Sequence, residues 1–452
     1  MSELKSITKG KMWCYAVGQL GWAMLSGLIG SWLVYFYQPD AGAVANGMKL
    51  FIPQGRCIFG TLTIIGLITA LGRVFDAVTD PLVGNWSDKC RSPSGRRIPF
   101  LKYSAIPFGL VTVLVFNAPV KNISGINTAW LFIFILAYYF LITCYCTPYT
   151  SLIAELAHTQ KEKLDISTCI SLTFIVGTAV AYVAPVIWET LTGCGFERVT
   201  AMRLTFAGIA VIATFCLLVP VFTIKEKEYS NIAPSDSPML KSLIKTFANK
   251  DFRIFVAQDV IYWFALTMFQ TGLPFFVTVL LKLPESYATP MFIGLTAISL
   301  VFYPLVNVLA VKIGKKNLVL TAFAFFTAVF AFTGISGPAL GLDTKIQAVI
   351  IVVAASFPMA VFGILPQAMV ADIAQYETSS TGENRAGMFF AARTFALRFG
   401  QSISMLAFTS LATISLAAGN GYRIIAITAS VCCAAGGLIL MMFNEKKILG
   451  QN

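Results

Sequence analysis

The chain has 452 residues, of which 57% are hydrophobic and only 12% charged, and it carries a formal net charge of +12. Soluble domains have roughly 25% charged residues, so too few polar groups are present to coat a water-soluble globule of this length. A soluble enzyme, a nucleic-acid binder and a disordered scaffold are excluded on that ground. The excess of Lys and Arg is read as the basic bias of loops beside a membrane rather than as a surface for nucleic acid.

A membrane-spanning helix takes about 20 apolar residues. The apolar runs predict twelve of them, at 13–36, 58–86, 99–119, 128–154, 166–190, 203–224, 254–281, 290–312, 318–338, 346–371, 388–416 and 422–443. The expected fold class is an all-α membrane protein with two six-helix bundles. The longest polar break, 225–253, sits near the midpoint and divides the chain into an N-terminal bundle (1–224), a middle loop and a C-terminal bundle (254–452). Roughly two-thirds of the 33 Lys and Arg residues fall in the segments on the side of the termini, which predicts both termini in the cytoplasm. The expected location is the cell inner (plasma) membrane, crossed many times.

The halves repeat weakly. Pro81-Leu82-Val83 in the second run recurs as Pro304-Leu305-Val306 in the eighth, and Pro148 with Glu155 in the fourth resembles Pro366 with Asp372 in the tenth. Duplicated six-helix units are typical of secondary transporters, which bind their cargo near the middle of the membrane.

Charges inside apolar runs are costly, about 2.5–3.5 kcal/mol each on insertion scales, and so mark function. The second run carries Arg73, Asp76 and Asp80, spaced so that all three share one helical face. Arg73 can neutralise one carboxylate. The other needs a cation or a proton, because like charges one helical turn apart repel strongly in a poorly hydrated site. The repeat register puts Ser299 and Tyr303 opposite the two acids, so the acidic pair belongs to one half alone. A buried ion-pair network that only orients helices is the alternative reading. The chain shows neither a nucleophile–base pair nor a metal motif, so no enzyme is expected.

The run from Gly72 to Asp88, followed by Ser94-Gly95-Arg96-Arg97-Ile98-Pro99, closely resembles the signature of the glycoside–pentoside–hexuronide:cation symporters, the melibiose-carrier family of the major facilitator superfamily. Ala371 to Glu377, Gly382 to Gly387 and Arg398 to Gln401 resemble that family's tenth and eleventh helices. The resemblance implies the major facilitator fold and a symporter of a sugar or glycoside. It also implies a cation site at Asp76, Thr79, Asp80 and Thr143, occupied by Na⁺, Li⁺ or H⁺, and no other cofactor. If the ion is sodium, Asp76 and Asp80 are its charged ligands. The expected partners are the sugar, the monovalent cation and the lipid bilayer, with a functional monomer.

For the substrate, Arg73, Thr394 and Arg398 match family positions, and Trp22, Tyr145, Tyr149 and Trp263 are aromatic residues placed to line a cavity. The acidic sugar-gripping positions of the family's first and fourth helices are Ala23 and Cys146 here. Losing two carboxylates while keeping arginines points to an anionic substrate such as a hexuronide, since Arg matches a carboxylate bidentately. A lysolipid or other amphiphile on the same fold is a second expectation, and a non-transporting sensor a third. Asp88, Arg96 and Arg97, with Glu155 and Asp372, are the residues of an implied cytoplasmic gate. Asp259 in the seventh run is a buried acid with no evident partner in its own helix, open to two readings: a cavity residue, or one paired with an Arg across the halves.

Overall fold

A computed structural model describes residues 6–157, 159–229, 246–381, 386–414 and 419–448. His158, the only histidine, and the central part of the 225–253 segment lie outside the described residues.

Among the described residues there are twelve long helices: α1 Lys9–Tyr37, α2 Ile64–Lys89, α3 Ile98–Phe116, α4 Gly125–Leu156, α5 Gln160–Gly193, α6 Arg198–Thr223, α7 Lys250–Phe275, α8 Ala288–Ile313, α9 Lys315–Ile335, α10 Thr344–Thr381, α11 Ala386–Ala412 and α12 Asn420–Met441. Their starts follow local chemistry. Ser124 and Asn249 accept first-turn amides of α4 and α7, and α5 opens on a full capping box between Thr159 and Glu162. That capped first turn is polar, which is why α5 begins ahead of its apolar run. Likewise α10 continues through polar residues to Thr381, past the predicted end at 371. Apolarity marks the stretch that lipid covers, whereas the hydrogen-bond ladder runs on into water.

Among the described residues, ten helices are long and apolar enough to cross a membrane. The two long helices outside that set are α2 and α11, which carry Arg73, Asp76 and Asp80, and Arg393 and Arg398. Polarity, not length, sets them apart. The surface is inverted relative to a soluble protein. Phe215, Phe222, Val301 and Val311 are exposed, whereas Asp76, Asp259, Gln258 and Glu155 are buried.

The chain divides into two compact units, Met1–Ile58 with Leu67–Asp236, and Phe59–Gly66 with Ser237–Asn452. In the first, α1 packs on α5 and α6, and α3 packs on α4 and α6. In the second, α7 packs on α11 and α12, and α9 packs on α10 and α12. The pairing scheme is the same, six helices later.

One close approach sets the site's geometry. A Cβ on Gly72 would lie 2.6 Å from the Tyr139 ring and 2.8 Å from Ile135, so only glycine lets α2 lie this close to α4. Gly72→Leu should therefore destabilise the first unit by about 1–3 kcal/mol, the usual cost of overpacking. The check is a lowered thermal midpoint of the purified protein, with Gly84→Ala, which meets nothing nearer than 3.7 Å, as the tolerated control.

Candidate functional site

Asp76 and Asp80 lie one turn apart on α2, and Thr143 and Thr147 lie one turn apart on α4. With Gly72 letting the helices approach, the two registers match. Thr143 Oγ1 donates to Asp76 Oδ1 at 2.6 Å, and Thr147 Oγ1 donates to Asp80 Oδ1 at 2.9 Å. Thr79 lies between the acids and donates to the Asp76 carbonyl at 3.1 Å, which leaves its hydroxyl lone pairs available. Asp76 and Thr143 are fully buried and Thr79 nearly so, whereas Asp80 and Thr147 are half-buried.

This small region therefore holds two carboxylates and three hydroxyls, all hard oxygen donors. Among the described residues no group of three or more His, Cys, Asp or Glu side chains could hold a metal. Carboxylates with several neutral hydroxyl oxygens are the kind of donor set that suits a hard cation. Thr147 was not anticipated from the sequence. Its signal was there: threonines at positions 143 and 147 copy the spacing of the two aspartates. Arg73 is half-buried one turn before Asp76, with its guanidinium 5.9 Å from the centre of the Tyr139 ring. Ser299, matched to Asp76 in the repeat, spends its hydroxyl on the Leu295 and Ser356 carbonyls, at 2.7 and 2.9 Å.

The aromatic expectations divide. Tyr145 and Tyr149 do not line open space; both are fully buried. Tyr149 stacks on Tyr15 at 4.3 Å and donates to the Tyr15 carbonyl at 2.7 Å, and Tyr145 donates to the Leu217 carbonyl at 2.8 Å. Their hydroxyls thus tie α4 to α1 and α6, a packing use that spacing alone does not reveal. Trp22 is half-buried, bonded through Nε1 to Gln19 at 2.9 Å and tilted against Phe174. Trp263 is also half-buried, and its Nε1 is a buried donor with no hydrogen-bond partner among the described residues. Thr394 is exposed and Arg398 half-buried on α11. Asp259 does have a partner, Arg393 on α11, in a bidentate pair at 2.6 and 3.3 Å inside the second unit.

Of the residues expected at a gate, Arg96, Arg97 and Glu155 meet within the first unit, and Asp372 lies in the second. Arg96 Nη2 and Arg97 Nε both reach Glu155 Oε1, at 2.7 and 3.2 Å, and Arg97 also bonds Ser87. Asp372 is held by Lys315 at 2.5 Å, a residue not singled out from the sequence. The side chain of Asp88 lies outside the described residues.

The model of one protein family, MFS/sugar transport protein, matches residues 14–443. An isoprimeverose transporter of Lactiplantibacillus pentosus is 22% identical, over 86% of this chain and 77% of its own. The sodium-dependent lysophosphatidylcholine symporter 1 of Xenopus tropicalis is 23% identical, over 77% of this chain and 71% of its own. Among solved structures, a bacterial homologue of the human drug peptide transporters PepT1 and PepT2 superposes with a TM-score of 0.69 at 13% identity, covering 98% of this chain and 99% of that one. At that identity the likeness shows the fold alone.

Proposed function

Because the chain belongs to the MFS/sugar transport family, we propose that it is a symporter that couples entry of a monovalent cation to uptake of a sugar or glycoside by alternating access. The observation that carries the coupling is the two-by-two match of Asp76 and Asp80 with Thr143 and Thr147. Two carboxylates beside one arginine hold a net negative charge in a desolvated site, and a cation discharges it. A neutralised site next to the cargo then binds cargo better, and by linkage the cargo tightens the cation equally. Na⁺ fits the hard oxygen set, and Li⁺ and H⁺ are its competitors. Thr79 completes the ion's ligands, and Asp76 and Asp80 carry the charge.

Arg73, Arg398, Thr394, Trp22 and Trp263 are the substrate-facing residues of this reading. With Ala23 and Cys146 where relatives carry acids, arginine is the charged group left to meet cargo, which favours an anionic glycoside such as a hexuronide. The basic bias of the loops supports a reading with both termini in the cytoplasm, and the inner membrane is the location that goes with it. A lysolipid is the second reading. It is favoured by the same loss of acids and by the similarity to a lysophosphatidylcholine symporter.

Counterflow in proteoliposomes tests both, with neutral glycosides, uronides and lysophosphatidylcholine offered under Na⁺, Li⁺ or H⁺ gradients. A uronide or neutral glycoside should exchange and lysolipid should not. The reverse result selects the second reading, and uphill uptake driven by none of the three cation gradients overturns the coupling. Thr143→Ala removes one of the neutral oxygens beside Asp76, and losing such a group typically costs about 10–100-fold in ion affinity, so the half-saturating cation concentration should rise roughly tenfold or more.

A further inference from the structure

Gly95, Arg96 and Glu226 of the first unit recur, at one constant offset along the chain, as Gly314, Lys315 and Glu445 of the second. The recurrence is also spatial within each unit. Glu226, just past the end of α6, accepts the backbone N–H groups of Arg96, Arg97 and Ile98 at 2.6, 2.8 and 3.0 Å. Glu445, just past the end of α12, accepts those of Lys315 and Lys316 at 2.8 and 3.0 Å. These amides open α3 and α9 and have no partner within their own helices. An anionic acceptor there also meets the positive end of the helix dipole.

The glycines belong to the same device. Gly95 and Gly314 have φ of +115° and +85°. A Cβ on either would lie 2.3 Å from Glu226 Oε2 or 2.9 Å from Glu445 Oε2. Glycine alone reaches the backbone conformation and leaves room for the carboxylate. The next residue then extends to an acid on the fourth helix of its own unit, Arg96 to Glu155 and Lys315 to Asp372. Lysines close the remaining ends. Lys11 donates to the Thr223 carbonyl that ends α6, and Lys316 donates to the Met441 and Phe443 carbonyls that end α12.

Burial pushes the Glu226 carboxyl above the ordinary carboxylate range, with nearby Glu155 adding to the rise, and the three amides act against it. The carboxylate is therefore held in a costly place by those amides.

We propose that Glu226 and Glu445 are matched positioning residues, each tying the ends of the third, fourth and sixth helices of its unit into one body. The Arg96–Arg97–Glu155 and Lys315–Asp372 pairs then stay assembled while the units move in transport. This rests on the alternating-access reading only for its purpose; the tie itself is read without substrate.

Hydrogen exchange by mass spectrometry on the full chain in nanodiscs tests it. Glu226→Ala should speed exchange roughly tenfold or more at residues 96–98, and also in the last turns of α4 and α6. Glu445→Ala should do the same at 315–316 and around Asp372 on α10, leaving the first unit unchanged. Unchanged exchange at 96–98, or a rise confined to those three amides, overturns the proposal. If Glu226→Ala loosens the whole first unit, Glu226→Gln, which keeps the shape but turns one of the two accepting oxygens into a donor NH2, is judged by the same criterion. Failure of the transport assay with normal ties would strike the functional reading alone.

Discussion

Asp76→Asn is expected to abolish uphill uptake while sparing exchange of the cargo across the membrane. Asp76 is fully buried, and Thr143 donates to one of its oxygens at 2.6 Å. The amide keeps the shape but removes the charge that a desolvated cation needs. Removing one member of a buried charge pair costs about 3–5 kcal/mol, which lowers cation affinity roughly a hundredfold or more. At ordinary salt the site then stays unfilled, and the cation gradient has nothing to drive. Exchange survives because it needs only that the carrier reorient with cargo aboard. The measurement is uptake against a concentration gradient beside counterflow without one, in the same proteoliposomes. Accumulation with unaltered cation dependence would remove Asp76 from the coupling site.

Asp259→Ala should act on stability first. Both Asp259 and Arg393 are buried, and their bidentate pair spends the charge of each. Deleting the acid leaves a guanidinium in the apolar interior of the second unit, at a cost of about 3–5 kcal/mol. That is a large fraction of the stability of most proteins. Yield and thermal midpoint should fall sharply, and the double variant Asp259→Ala, Arg393→Ala should recover most of the loss. If the double variant is as unstable as the single one, the pair is not what the acid is for.

The helices were legible because apolarity over a fixed length is a strong signal, and the signature from Gly72 to Asp88 pointed to the family. The first unit's acidic pair was visible for the same reason: charge in an apolar run has few innocent causes. Partners across helices were less visible. Thr147, Lys315, Glu226 and Glu445 act through contacts between segments far apart in the chain, and none is unusual where it stands in the sequence. Tyr145 and Tyr149 show the opposite error. An aromatic on a helix expected to line a cavity is compatible with either face, and only packing reveals that their hydroxyls are spent on α1 and α6. Asp259 looked unpartnered because its arginine lies on α11, more than a hundred residues away.

The polarity of α2 and α11 bears on how the protein is made. A segment too hydrophilic to partition into hydrocarbon alone must be carried in by neighbours that shelter its charges. During biosynthesis these two should enter the bilayer late, and only beside companions already seated. On the proposed reading, stripping α2 of its acids would ease that entry and forfeit the coupling, so a burden on assembly would be the counterpart of harnessing an ion gradient.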